Sequence, residues 1–281
     1  MINVENSQYD LEVLISTMNR TSLSFLSNIF PDNSCSNYKI LIVNQTTRNA
    51  LLKSNDSNIR VINSFDKGLA RSRNLAIKNA TCELCLFADD DISYVQGFDV
   101  IVKEAFARYQ YANIITYKMV NYKGELFTHY PNIIRHNKKT VSSVNSVVIS
   151  FRRKQVIDNK VFFNVNFGLG STFETADEYV FLRSALKKRF KVFFEGKVLL
   201  SHPNFSSGKA VSSDRIVFAR SAVFYKYNGI LTYLKLVWHL YLLFRNNDLK
   251  LNQFYKKYIQ GLNGINKYRN LIKQGLEIKE N

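Results

Sequence analysis

Residues 84–88, Leu84-Cys85-Leu86-Phe87-Ala88, form a short apolar run that ends abruptly in three carboxylates, Asp89, Asp90 and Asp91. A run this short, bounded by polar residues, predicts a buried strand. Three adjacent acidic side chains at its carboxyl end repel one another and resist burial. A hard divalent cation, Mg²⁺ or Mn²⁺, relieves that charge through oxygen ligands. Ligands of open α/β sheets also bind beyond the carboxyl ends of strands. The competing reading is an acidic turn that caps a helix from Ser93 onward.

The surrounding pattern predicts the class of fold. Strands are expected at 11–17, 38–44 and 59–63, a helical stretch from Arg20 to about Ile29, and a helix at 66–79. Strands alternating with helices predict βαβ units and a parallel sheet. Gly68, near the start of the last helix, offers backbone N–H groups to an anion. No G-x-G-x-x-G follows a strand, which disfavours a dinucleotide site. Further strands are expected at 114–120, 125–130, 146–150 and 198–201, with a short helix opening at 151. Residues 132–145 carry Arg135, His136, Lys138 and Lys139 and predict a loop, either solvated or facing an acceptor. Residues 204–213, with Phe205, Gly208 and Lys209, predict a mobile loop able to close as a lid.

With 281 residues and 46% hydrophobic content, the chain can bury a core as one large domain or a domain with an appendage. Its net charge of +17 calls for an acidic partner, whether nucleic acid, sugar nucleotide or anionic membrane. Residues 1–10 lack an apolar segment, so no secretory signal is expected. Three cysteines suit a reducing cytosol. Cys82 and Cys85 have C-x-x-C spacing, but in a strand they point to opposite faces, so they read as core.

The tail differs in character. Residues 216–227 are amphipathic and helical. Residues 229–244 are nearly continuous in apolar and aromatic side chains, interrupted by Lys235 and His239. That run is shorter than the ~20 residues a membrane span needs. Arg245, Lys250, Lys256, Lys257, Lys267, Arg269 and Lys273 follow. An aromatic stripe beside basic residues suits either a helix lying in an anionic interface or one packed on its own domain.

The stretch Gly68-Leu69-Ala70-Arg71-Ser72-Arg73-Asn74, followed by a strand ending in Asp89-Asp90-Asp91, resembles the inverting nucleotide-sugar glycosyltransferases of family 2. There a G-L-x-x-x-R-N helix precedes a strand ending in D-x-D. The resemblance implies an α/β fold with a GT-A-like, mostly parallel sheet flanked by helices at 1–205, and a C-terminal helical extension at 206–281. It implies a divalent metal, Mn or Mg, on Asp89 and Asp91, and donor contacts from Asp89, Asp90 and Arg73. Thr17, Asn19 and Arg20 follow strand one, where the family contacts base and ribose. Asn44 and Gln45 stand where the family usually has an acid that reads the base.

A second segment, Phe167-Gly168-Leu169-Gly170 through Asp177-Glu178-Tyr179-Val180-Phe181-Leu182-Arg183, resembles the family's F-G-x-G … E-D-x-x-F-L-R. There the second acid is the general base, which falls on Glu178, with Asp177 the alternative because the pair is inverted. The bland reading is two N-terminal helix acids stabilised by the dipole. His202-Pro203 matches the family's H-P, implying a third metal contact or a pyrophosphate contact at His202; imidazole suits Mn²⁺ better than Mg²⁺. The Q-x-x-R-W signature of processive members is absent, and the only Trp is Trp238.

The expected activity is therefore inverting transfer of one sugar from a nucleotide-diphosphate sugar, UDP-linked by expectation. The acceptor is a glycan hydroxyl, lipid-linked, in bacterial surface-polysaccharide synthesis. The expected location is cytoplasmic, peripheral on the inner face of the membrane. The alternative is a non-catalytic basic protein that binds membrane or nucleic acid. No nucleic-acid module is recognisable, and nucleic acid is not the expected partner.

Overall fold

A computed structural model describes residues 9–31, 35–203 and 211–278. Most of the expected lid, including Phe205, Gly208 and Lys209, lies outside the described residues, as do residues 1–8. The chain folds as two compact units. The first takes Met1–Asn164 and Phe181–Asn204, the second Val165–Val180 and Phe205–Asn281.

The first unit is built on eight strands: β1 Leu11–Met18, β2 Lys39–Gln45, β3 Ile59–Ser64, β4 Leu84–Asp89, β5 Ser93–Tyr94, β6 Ile114–Asn121, β7 Ile149–Arg152 and β8 Val192–His202. Their order is β3-β2-β1-β4-β7-β6-β8-β5. The four strands from β3 to β4 run parallel. β7 is antiparallel to both β4 and β6, β6 and β8 are parallel, and β5 is antiparallel to β8. β1 is buried over its first seven residues, as a parallel strand covered on both faces requires. The one carboxylate inside it, Glu12, is met by Arg60 Nη2 at 2.6 Å and by the Thr81 N–H at 2.6 Å. That pairing removes the cost of an isolated buried charge.

Helices α1 Leu26–Ile29, α2 Leu69–Asn79, α3 Phe98–Arg108 and α4 Arg153–Asp158 connect these strands. In α2, Ala70, Arg73, Ala76 and Ile77 are buried, at the spacing of one helix face. α5, Asp177–Lys187, begins in the second unit and continues into the first.

Several expectations change. No helix starts at Ser93; that residue opens β5, and α3 begins after Gly97, whose φ is +70°. The helical stretch after Arg20 is confined to Leu26–Ile29. Residues 125–130 form no strand: Leu126 makes a single bridge to Val120, and the Tyr130 hydroxyl accepts from the Met119 N–H at 2.9 Å. Residues Ser146–Val148 are a 3-10 turn, capped by the Asn145 side chain. Within the loop at 132–145, His136 is buried between the hydroxyls of Thr116 and Thr140, so it faces neither solvent nor an acceptor. The Gly68 N–H donates to Gln45 Oε1 at 2.7 Å, so it is not open to an anion.

The second unit holds α6 Asp214–Asn228, α7 Thr232–Arg245 and α8 Phe254–Lys273. One core gathers Phe167, Phe173, Val180, Ala219, Ala222 and Tyr268; another gathers Val217, Leu236, Leu240, Leu243, Leu249 and Ile265. α8 packs on α6 and α7 through two glycines. A Cβ on Gly264 would stand 2.1 Å from the Phe218 carbonyl oxygen, and one on Gly261 2.6 Å from Leu236 Cδ2. The buried Lys226 ammonium is paired with Glu277 at 3.2 Å, and the Tyr268 hydroxyl donates to the same carboxylate at 2.7 Å. Among the described residues no helix is long and apolar enough to cross a membrane.

Candidate active site

The parallel register sets Ser16 of β1 beside Asp89 of β4. Thr17 and the Asp triad therefore emerge together at the carboxyl edge of the sheet. Each of the three carboxylates meets a different partner.

Asp89 accepts from Arg73 Nη2 at 2.9 and 3.3 Å. Arg73 is 2% exposed, donates also to Ser146 Oγ at 2.7 Å, and lies over the Phe163 ring. A buried guanidinium needs this charge and these acceptors. Asp89, expected with Asp91 on a metal, is thus tied to Arg73.

Asp90 accepts from the Thr17 hydroxyl at 2.5 Å and from Arg20 Nε at 2.9 Å. Arg20 is aimed by its own backbone: its N–H donates to Asn44 Oδ1 at 3.1 Å, and its carbonyl accepts from Asn44 Nδ2 at 2.9 Å. Asn44 is fully buried and also reaches Asn63. Asn19, before Arg20, has φ +55° and donates its N–H to the Gln45 carbonyl. Asparagine tolerates that left-handed conformation better than most residues. The amide of Asn44, expected to read a base, is thus engaged in shaping this turn.

Asp91 is half exposed, and its Oδ1 lies 3.7 Å from Nε2 of His202. Partial burial pushes its carboxyl above the usual range; His202 pulls it down, while Asp89 and Asp90 add to the rise. The Nδ1 of His202 lies 2.8 Å from the Pro203 carbonyl. A carbonyl only accepts, so Nδ1 carries a proton, and Nε2 is the ring nitrogen turned to Asp91. Tyr122, exposed on the turn after β6, donates its hydroxyl to the Asp91 carbonyl at 3.0 Å.

Among the described residues, no group of three or more His, Cys, Asp or Glu is placed to hold a metal ion. The two-donor set of Asp91 and His202 nonetheless fits a divalent ion that takes its remaining ligands from a substrate diphosphate. The one imidazole nitrogen left clear of the backbone faces a carboxylate oxygen there. The Nδ1–H to carbonyl bond is also the usual support of a metal-binding histidine.

Asp177 and Glu178 occupy the first turn of α5. Asp177 is buried and Glu178 half-buried. Gly168, with φ +100°, packs on Asp177: a Cβ there would lie 3.0 Å from its Cβ and Cγ. The pair belongs to the second unit, the Asp triad and His202 to the first. Sequence reasoning missed Asn63, Ser146 and Tyr122, none of which sits in a recognisable motif.

The sequence profile described as Glycosyl transferase family 2 matches residues 14–180. The chain belongs to glycosyl transferase family 2. The family 2 match runs from β1 to the first turn of α5 and leaves β8, with His202, beyond its end. No curated protein matches the chain. Among solved structures, S. aureus TarS 1–349 is similar with TM-score 0.52 and 12% identity over 95% of this chain and 92% of that one. The same protein in complex with UDP-GlcNAc gives TM-score 0.51 at 13% identity over 95% and 92%. A mannosyltransferase from Pyrobaculum calidifontis, in complex with GDP-Man and Mn²⁺, gives TM-score 0.50 at 13% identity over 95% and 74%. These likenesses carry the fold: a family 2, GT-A-like α/β sheet with C-terminal helices.

Proposed function

We propose that this family 2 glycosyltransferase moves one sugar from a nucleoside-diphosphate sugar, UDP-linked, to a glycan hydroxyl with inversion at the anomeric carbon. The observation that carries the reading is the facing pair of Asp91, just past β4, and His202, at the end of β8, beside two carboxylates already neutralised by Arg73 and Arg20. The complexes of TarS with UDP-GlcNAc and of the mannosyltransferase with GDP-Man and Mn²⁺ support it.

In this reading residues 1–205 form the catalytic domain and 206–281 a helical extension. Thr17, Asn19 and Arg20 line the base and ribose end of the donor. Asn44 holds the Arg20 backbone, and Asp90 holds its guanidinium. Arg73 fixes Asp89 near the donor. Asp91 and His202 would hold a divalent ion, which supplies Lewis-acid stabilisation of the departing diphosphate. Glu178, or Asp177, takes the proton of the acceptor hydroxyl as its oxygen attacks the anomeric carbon and the bond to the diphosphate breaks. The acceptor is a lipid-linked glycan of surface-polysaccharide synthesis, met by the enzyme at the inner face of the cytoplasmic membrane.

The test is a screen of nucleotide sugars for Mn²⁺-dependent hydrolysis and binding. Release of nucleotide that needs the metal and disappears in Asp91→Asn supports the reading. Metal-independent behaviour across all donors sinks it.

A further inference from the structure

α7 is apolar on two sides. Leu236, Leu240 and Leu243 enter the core of the helical unit. On the far side Leu234, Val237, Trp238, Tyr241 and Phe244 are exposed by between 40% and 73%. At 100° per residue these five span an arc of roughly 120°. A surface helix ordinarily shows water a polar face here. Contiguous exposed apolar area of this kind marks an interaction site.

Charge selects the occupant. Residues 229–273 carry eight Lys or Arg and one acid, Asp248. Lys235 lies beside the apolar arc and Arg245 at its C-terminal end, and both are exposed. A second copy docked here would face the same cations across a two-fold interface. An anionic bilayer meets both needs: the boundary of headgroups and acyl chains takes the apolar face, and the phosphates take the lysines. Trp and Tyr are the aromatic residues suited to that boundary, since each has an apolar body and a polar tip. A second stripe is exposed at four-residue spacing: Leu251, in the turn before α8, then Tyr255 and Ile259 in its first two turns.

We propose that the exposed face of α7 docks on an anionic phospholipid bilayer, with Leu234, Trp238 and Tyr241 seated in its headgroup boundary. This rests on the reading above for the lipid-linked acceptor it would bring within reach. The contact itself does not depend on that reading.

The experiment mixes the full chain with vesicles of phosphatidylglycerol and phosphatidylcholine, or of phosphatidylcholine alone. The expected result is co-sedimentation with the anionic vesicles only, weakened by salt, with a blue shift of the emission from Trp238, the single tryptophan. L234Q/Y241Q keeps that reporter and the buried face of α7. It should lose vesicle binding by at least about tenfold with its circular dichroism unchanged. No binding and no shift at low salt overturns the proposal. So does a dimer, free of lipid, that L234Q/Y241Q converts to monomer. Nucleotide-sugar hydrolysis without vesicles reports on transfer alone and is expected to survive in L234Q/Y241Q; its absence from the unmodified chain counts against the transfer reading and leaves the vesicle result standing.

Discussion

Nε2 of His202 faces Oδ1 of Asp91 across 3.7 Å, while its Nδ1 is committed to the Pro203 carbonyl. β8 delivers the imidazole and β4 the carboxylate, from strands that are not neighbours in the sheet. The ring cannot swing to present Nδ1 without losing its carbonyl partner. One tautomer and one direction are therefore built in.

Removing either donor should weaken Mn²⁺-dependent binding of a nucleoside diphosphate. Asp91→Asn and His202→Ala are each expected to cost at least tenfold, about 1.4 kcal/mol. Isothermal titration with UDP, with Mn²⁺ or with EDTA, reads this directly. Metal-dependent affinity that is unchanged in Asp91→Asn removes Asp91 from the metal.

The acid pair of α5 should divide between chemistry and placement. Glu178→Gln is expected to lower kcat by roughly 10²–10⁴-fold, the usual contribution of a general base, with donor affinity kept. Asp177→Asn is the paired measurement: if it alone loses turnover, the base is Asp177. Gly168→Ala should also lower turnover, because its Cβ has no space beside Asp177 and its φ of +100° strains an L residue. Full turnover in both acid variants would dismiss a base at this turn.

In the helical unit, Gly264→Ala should be severely destabilising. The added methyl meets a backbone oxygen, which cannot rotate away as a side chain would. Overpacking costs ~1–3 kcal/mol, and the upper end is expected. The neighbouring Asn263→Ala, on an exposed position, should change little. Urea denaturation of the two variants side by side makes the comparison.

His136 predicts an acid-sensitive fold. Burial lowers its pKa from 6.5 to about 4, against the smaller opposing effect of a hydrogen bond to the Thr140 backbone. The unfolded chain then binds more protons than the folded one between those values. Stability falls as pH drops from about 6.5 towards 4 and levels off below. The depression of about 2.5 corresponds to roughly 3 kcal/mol. His136→Asn should flatten that slope, measured as urea midpoints at pH 7, 6 and 5. An identical slope in the variant assigns the acid sensitivity elsewhere.

What the sequence made legible followed burial. β1, β2 and β4 are apolar runs between polar ends, and their two-sided burial in a parallel sheet leaves that signal intact. β5 was not legible, because two residues carry no period and Ser93 pairs only through β8. Residues 125–130 follow a turn and carry Phe127 and Tyr130, which suggested a strand, yet the Tyr130 hydroxyl takes the Met119 backbone instead. In the candidate site the three aspartates stood out as residue types, but their partners did not. Arg73 lies 16 positions from Asp89, and Arg20 lies 70 from Asp90. Separations of that kind are resolved only by folding. Asn44 shows the same gap: its place after β2 was evident, and its closure on the Arg20 peptide was not.

The pairing of Lys226 with Glu277 spans 51 positions. A ribosome makes the ammonium long before it makes the carboxylate. Until Glu277 emerges, packing α6 means burying a lone charge, which is strongly opposed. The helical unit therefore cannot close in the order in which its helices are synthesised. It waits until Glu277 has been added, and then locks as one piece.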